Sequence, residues 1–185
     1  MKLFHLGILL ILIGTTSSLL GQHIDFRSPK ESWSLGYSVI DEQLPEGTTY
    51  NPVILLGNYP IWSRKRLSIY AEGQLTKAYS LLNFRTDIEF GVNMGISFFV
   101  IQSPNLSITA AIGSGPHFIT VETGRQSNGF IFSDNLELGS QYELRSVNTT
   151  LLLKLRYRHI SNAGLKEPNG GIDNFFIIAG LSSRL

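Results

Sequence analysis

The sequence predicts an all-β protein, an eight-stranded antiparallel outer-membrane β-barrel with a side-chain-filled interior. Three observations carry that reading. Most of the chain alternates apolar and polar residues with a period of two, the pattern of strands with two different faces. The polar faces carry charges of both signs, which suits a narrow ion-paired lumen walled by lipid-facing apolar side chains. The chain also opens on a short apolar run and contains no cysteine.

That opening comes first in order. Lys2, the apolar stretch 8–13 and the small residues leading to Gly21 read as a secretory signal peptide over 1–21. Residues 22–185 then form one transmembrane β-barrel domain. The run is too short for the ~20 residues that a spanning helix needs. With no cysteine behind it, a lipoprotein anchor is excluded, and stability must come from backbone pairing and packing. Removal of Lys2 takes the formal charge of the 185-residue chain from +1 to zero. A neutral chain is a poor partner for nucleic acid, which calls for a basic excess.

After a polar lead-in over 22–30, the cleanest strand is 84–98. Phe84, Thr86, Ile88, Phe90, Val92, Met94, Ile96 and Phe98 share one face, and Arg85, Asp87, Glu89 and Asn93 share the other. A helix would spread those charges around its circumference. Similar alternation runs through Trp33, Leu35, Tyr37 and Val39, through Leu67, Ile69, Ala71, Gly73 and Leu75, and through Leu106, Ile108, Ala110 and Ile112. It is less clean at Phe130, Phe132, Leu136, Leu138 and Tyr142, and ambiguous over 52–59. With two final strands the count is about eight. Glu72, Arg85, Asp87, Glu89, Glu137, Lys154, Arg156 and Arg158 are expected to pair within the lumen. Trp33, Tyr59, Trp62, Phe98, Phe99, Tyr157 and Phe175 are expected in interfacial girdles. Stretches 60–64, 102–105 and 144–146 become periplasmic turns, and 41–49, 77–83, 120–129 and 162–171 the outer loops.

The final hairpin holds the chemistry. His159, Ser161 and Asp173 are the three residue types of an acyl-transfer triad: base, nucleophile and orienting acid. Setting His159 opposite Asp173 also pairs Tyr157 with Phe175, Leu155 with Ile177, Leu153 with Ala179 and Leu151 with Leu181. One register thus makes a continuous apolar stripe crowned by a polar pair. Directly opposed residues have Cβ atoms ~4.5–5.5 Å apart, within reach of a carboxylate–imidazole bond. Ser161 projects on the same side one pleat further out, so contact with His159 requires a bend where the strand ends. Polar groups directed at lipid are costly, which favours a functional explanation for three together. His117 falls on the lumenal parity and reads as a hydrogen-bonded interior histidine, and His23 lies outside the barrel. No ligand cluster asks for a metal, and no cofactor is implied.

The stretch His159-Ile-Ser161-Asn162-Ala-Gly164-Leu165, followed by Pro168-Asn169-Gly170-Gly171, resembles the lipid A deacylase family, the PagL-like lipid A 3-O-deacylases. The resemblance implies an outer-membrane barrel whose site faces the lipid of the outer leaflet in a Gram-negative bacterium. It implies His159 as base, Ser161 as nucleophile and Asn169 as oxyanion-hole donor, helped by a backbone N–H around Gly170. Asp173 stands where the family usually has glutamate. Tyr157, Asn162 and Phe175 flank the motif and are expected to contact the substrate. The implied reaction is hydrolysis of an ester-linked acyl chain, the 3-O-linked hydroxyacyl chain, from lipid A of lipopolysaccharide. A non-enzymatic structural or adhesive barrel and a broader outer-membrane phospholipase are the competing readings; a soluble lipid-carrying barrel fits least. A homodimer is left open.

Overall fold

The structure, a computed structural model, describes residues 31–40, 42–43, 49–80 and 85–183. The expected signal peptide, the lead-in, His23, Phe84 and parts of the loops at 41–49 and 77–83 lie outside the described residues. Eight long strands close into a barrel: β1 (Ser32–Ile40), β4 (Pro52–Arg64), β5 (Leu67–Ser80), β6 (Arg85–Gln102), β7 (Leu106–Ile119), β8 (Gly129–Leu144), β9 (Thr149–Ser161) and β10 (Ile172–Ser183). Each pairs antiparallel with its sequence neighbour, and β1 pairs with β10 to shut the cylinder. Two short strands, β2 (Glu42–Gln43) and β3 (Thr49–Tyr50), form a separate hairpin above β1 and β4.

The faces are inverted relative to a protein that folds in water. Leu35, Val92, Ile112, Leu136 and Leu153 are exposed on the outside, while Glu72, Glu89, Arg156 and Arg158 are buried within. Burying those charges is tolerable only because they are paired. Arg156 Nη2 lies 2.7 Å from both Glu72 Oε2 and Glu137 Oε2, and Lys154 Nζ lies 3.0 Å from Glu137 Oε1. One layer away, Arg158 Nη1 donates to Glu89 Oε2 at 2.9 Å. Glu89 Oε1 also lies 2.7 Å from His117 Nδ1, and His117 Nε2 lies 3.1 Å from Asn93 Oδ1. His117 is therefore part of the interior network, as expected.

The lumen is not polar throughout. Ile54, Leu56, Phe176 and Ile178 form one buried apolar cluster inside the barrel. It closes across Gly36, where an added Cβ would fall 2.6 Å from Ile178 and 2.8 Å from Ile54. This explains the ambiguity over 52–59: both faces of β4 are apolar because one packs here and the other meets lipid. A second cluster, including Ile119, Val121, Ile131, Ile160 and Ile172, seals the end that carries the long loops. At the opposite end the interior keeps a polar void of about 110 Å³ between Ser32, Tyr70, Gln102 and Lys154.

Two expectations are corrected. Residues 60–64 are not a turn: β4 runs through them with a register shift between Pro60 and Trp62, and the turn is Lys65-Arg66. A bulge tolerates proline because its missing N–H is not needed in the ladder there. Phe99 is not a girdle residue, since it is buried inside. The pairing of β6 with β7 shifts between Phe99 and Ile101, so parity reverses and Ile101 is the side chain that points outward. Trp33, Tyr59 and Trp62 are exposed on the outer wall near the short-turn end, as an interfacial belt requires.

Candidate active site

The ladder between β9 and β10 has the expected register: Asp173 opposes His159, Phe175 opposes Tyr157, Ile177 opposes Leu155 and Ala179 opposes Leu153. On β9 the alternation is strict, with Leu151, Leu153, Leu155 and Tyr157 exposed and Lys154, Arg156 and Arg158 buried between them. His159 and Asp173 thus stand on the outer wall, partly exposed at 36% and 43% of their side chains. His159 Nδ1 lies 2.8 Å from Asp173 Oδ1. An ionised carboxylate only accepts, so Nδ1 carries the proton of this bond. The imidazole therefore turns Nε2 away from the carboxylate.

Ser161 ends β9 on the same parity and is partly exposed. Same-face residues two apart on a strand are separated by about 6.6 Å along it. Among the described residues, no hydrogen bond joins Ser161 Oγ to His159 Nε2. The structure brings His159 and Asp173 together and leaves the Ser161 hydroxyl one pleat away. Such bonds are often long in unliganded sites.

The loop after Ser161 is shaped by three left-handed residues, Ala163 (φ 53), Gly164 (φ 79) and Gly171 (φ 72). Gly171 packs against the imidazole: a Cβ there would fall 2.5 Å from His159 Cε1 and 2.9 Å from Nε2. The loop is zipped to the β7–β8 loop. Gln126 bridges Asn169, Ser127 N donates to Pro168 O, Gly170 N donates to Arg125 O, and Arg125 Nη2 donates to Gly170 O. Asn169 Oδ1 accepts the N–H of Asn162 at 2.8 Å, which fixes the amide plane and leaves Nδ2 as its donor end.

Two expected site residues have different surroundings. The side chain of Asn162 is buried and fully engaged: Nδ2 donates to Ser127 Oγ and Lys166 O, and Oδ1 accepts the N–H of Gly164. It orders the loop and does not reach the lipid face. The N–H of Gly170 is committed to Arg125, so it is not a spare donor. Tyr157 and Phe175 do face outward, and the Tyr157 hydroxyl donates to Asp173 Oδ1 at 2.7 Å. The sequence reading missed Asp134, which opposes His159 from β8 and is also exposed. Its carboxylate turns the other way and accepts a bond from Ser114 Oγ on β7. Its outward parity within Phe130–Tyr142 was the available signal. Among the described residues no group of three metal-binding side chains converges.

Comparison with known proteins bears on this arrangement. The family model described as lipid A 3-O-deacylase (PagL) matches residues 53–182. The chain belongs to the lipid A 3-O-deacylase family. Membership makes the deacylase an ester hydrolase of the outer membrane, with lipid A as substrate. A solved structure described as the outer membrane enzyme PagL is similar at 16% identity and a TM-score of 0.58, covering 85% of the deacylase and 100% of that chain. It shares the fold. A set of de novo designed transmembrane β-barrels matches more loosely, at 12% identity and a TM-score of 0.42, covering 86% of the deacylase and 98% of the design. No curated protein sequence matches the deacylase.

Proposed function

We propose that the deacylase removes the 3-O-linked hydroxyacyl chain of lipid A through a Ser161–His159–Asp173 triad on its lipid-facing wall. The observation that carries this reading is the 2.8 Å contact between His159 Nδ1 and Asp173 Oδ1 on the outside of the barrel, at the head of the exposed apolar stripe of Leu151, Leu153 and Leu155. A polar pair in contact with lipid is costly unless it does something. Asp134 is the rival acid, but its bond to Ser114 draws it away from the imidazole.

In this mechanism a small movement of the strand end brings Ser161 Oγ to His159 Nε2. The hydroxyl attacks the ester carbonyl as Nε2 takes its proton, and Asp173 stabilises the imidazolium. The tetrahedral oxyanion is met by Asn169 Nδ2, aimed by the bond that pins its oxygen. Collapse breaks the ester bond, the alkoxide takes the proton from Nε2, and the deacylated glycolipid leaves. Water activated by His159 then attacks the acyl-serine, releasing the fatty acid and restoring the hydroxyl. A single barrel carries every residue named, so the reaction needs no second copy.

The acyl chain has a path below the triad. Tyr157 and Phe175, then Leu155 and Ile177, then Leu153 and Ala179 descend the wall in register. Beside Ala179 the surface opens into a groove of about 700 Å³, walled by Trp33, Leu35, Leu151, Leu153 and Leu181.

The test is expression in a Gram-negative host followed by mass spectrometry of its lipid A. The reading expects loss of one hydroxyacyl mass, absent with Ser161→Ala. Unaltered lipid A beside a folded barrel would refute it, and release of lysophospholipid would redirect it to glycerophospholipids.

A further inference from the structure

We infer that Tyr157 is a positioning residue for the acid of the proposed triad, giving Asp173 a second donor from β9 beside His159. The inference rests on the proposed triad and adds a member that acts through Asp173. Tyr157 and His159 are successive outward residues of β9, and both bond the same atom, Asp173 Oδ1, at 2.7 and 2.8 Å. In the ladder Tyr157 directly opposes Phe175 and meets Asp173 on the diagonal. Diagonal neighbours ~7–8 Å apart at Cα are reached only by long or aromatic side chains. Phenylalanine would fill the same space without the bond.

The physical need for that hydroxyl lies in the setting. A carboxylate on a lipid-facing wall has little water to solvate it, so a donor from the neighbouring strand replaces part of that solvation. Two donors from one strand also fix the carboxylate's rotation about its own side-chain bonds. Without the phenol, β9 holds Asp173 through His159 with one donor fewer, against the electrostatic pull of the Arg125 guanidinium. If the carboxylate yields, His159 loses the partner that sets its tautomer. Aspartate is one methylene shorter than the glutamate that the family resemblance implies, so the reach of this acid is limited and its orientation matters more.

The experiment is steady-state kinetics of the purified full-length protein in detergent micelles containing lipid A. It compares Tyr157→Phe, Asp173→Ala and the double variant, with folding checked by the mobility of unheated samples on gels. Loss of a hydrogen bond to a charged group predicts a fall in kcat of about tenfold for Tyr157→Phe with KM unchanged. The double variant should be no slower than Asp173→Ala alone, since a residue acting only through the acid has nothing left to hold. Tyr157→Leu, equally without a donor, repeats the test in a different shape. A rise in KM at constant kcat would overturn the inference by making Tyr157 a substrate contact. So would losses that multiply in the double variant, or a full rate for Tyr157→Phe while Asp173→Ala is slow. A full rate for Asp173→Ala would instead remove the triad reading beneath it.

Discussion

Gly171→Ala isolates the imidazole's position from everything else in the hairpin. The new methyl would fall 2.5 Å from His159 Cε1, whereas ordinary contact begins at 3.4 Å, so the ring must yield by about 0.9 Å. Misplacing a catalytic group by about 1 Å costs on the order of 10²-fold in rate, or about 2.7 kcal/mol of barrier. The same substitution places an L side chain at φ 72, which costs about 1 kcal/mol of stability by itself. Gly164→Ala separates the two effects: its φ is 79, yet an added Cβ there meets nothing within 4 Å. Both variants should lose a similar, small amount of resistance to urea in micelles. Only Gly171→Ala should lose about two orders of magnitude in kcat on lipid A. Equal rates for the two variants would refute the claim that Gly171 exists to make room for the histidine.

Three further outcomes follow from the same geometry. Asn169→Ala should lower kcat by about 10²–10³ if its amide is the oxyanion's side-chain donor, and single-turnover acylation of a chromogenic ester measures this directly. Ala179→Leu should fill the floor of the acyl groove and lower kcat/KM for a long-chain ester about tenfold relative to a short one; competition between two chain lengths, read by mass spectrometry, checks it. Arg156→Met takes the guanidinium from buried Glu72 and leaves Glu137 to Lys154, and removing one partner from a buried ion pair costs about 3–5 kcal/mol. Its urea midpoint should drop accordingly, while the folded fraction keeps its activity because Arg156 points into the lumen.

Period-two alternation made the barrel legible because each strand between lipid and lumen must obey it. The register of the last hairpin was equally legible, since slipping it by one residue would expose Arg156 and bury Leu155. Parity still allows slips of two residues, and setting the imidazole of His159 opposite the carboxylate of Asp173 selected the register that the ladder has. What escaped were features set by distant segments. The interior face of β4 is apolar because Phe176 and Ile178 approach it across Gly36, a contact that no local pattern announces. Phe99 keeps the inward parity of Asn93 and Gly95, and the bulge that turns Ile101 outward after it leaves no mark in the alternation before it. The clasp of Gln126 and Ser127 on Pro168 and Asn169 joins loops from different hairpins, so neither the commitment of the Gly170 N–H nor the burial of Asn162 could be read from their own neighbourhood.

A cylinder plugged by stacked ion pairs and two greasy seals offers no passage from one side of the membrane to the other. The severed fatty acid and the trimmed glycolipid must both depart sideways, as fluid components of the leaflet from which the substrate came. Only the water that completes turnover has to come from outside the leaflet. Turnover should therefore slow when the surrounding lipid stiffens.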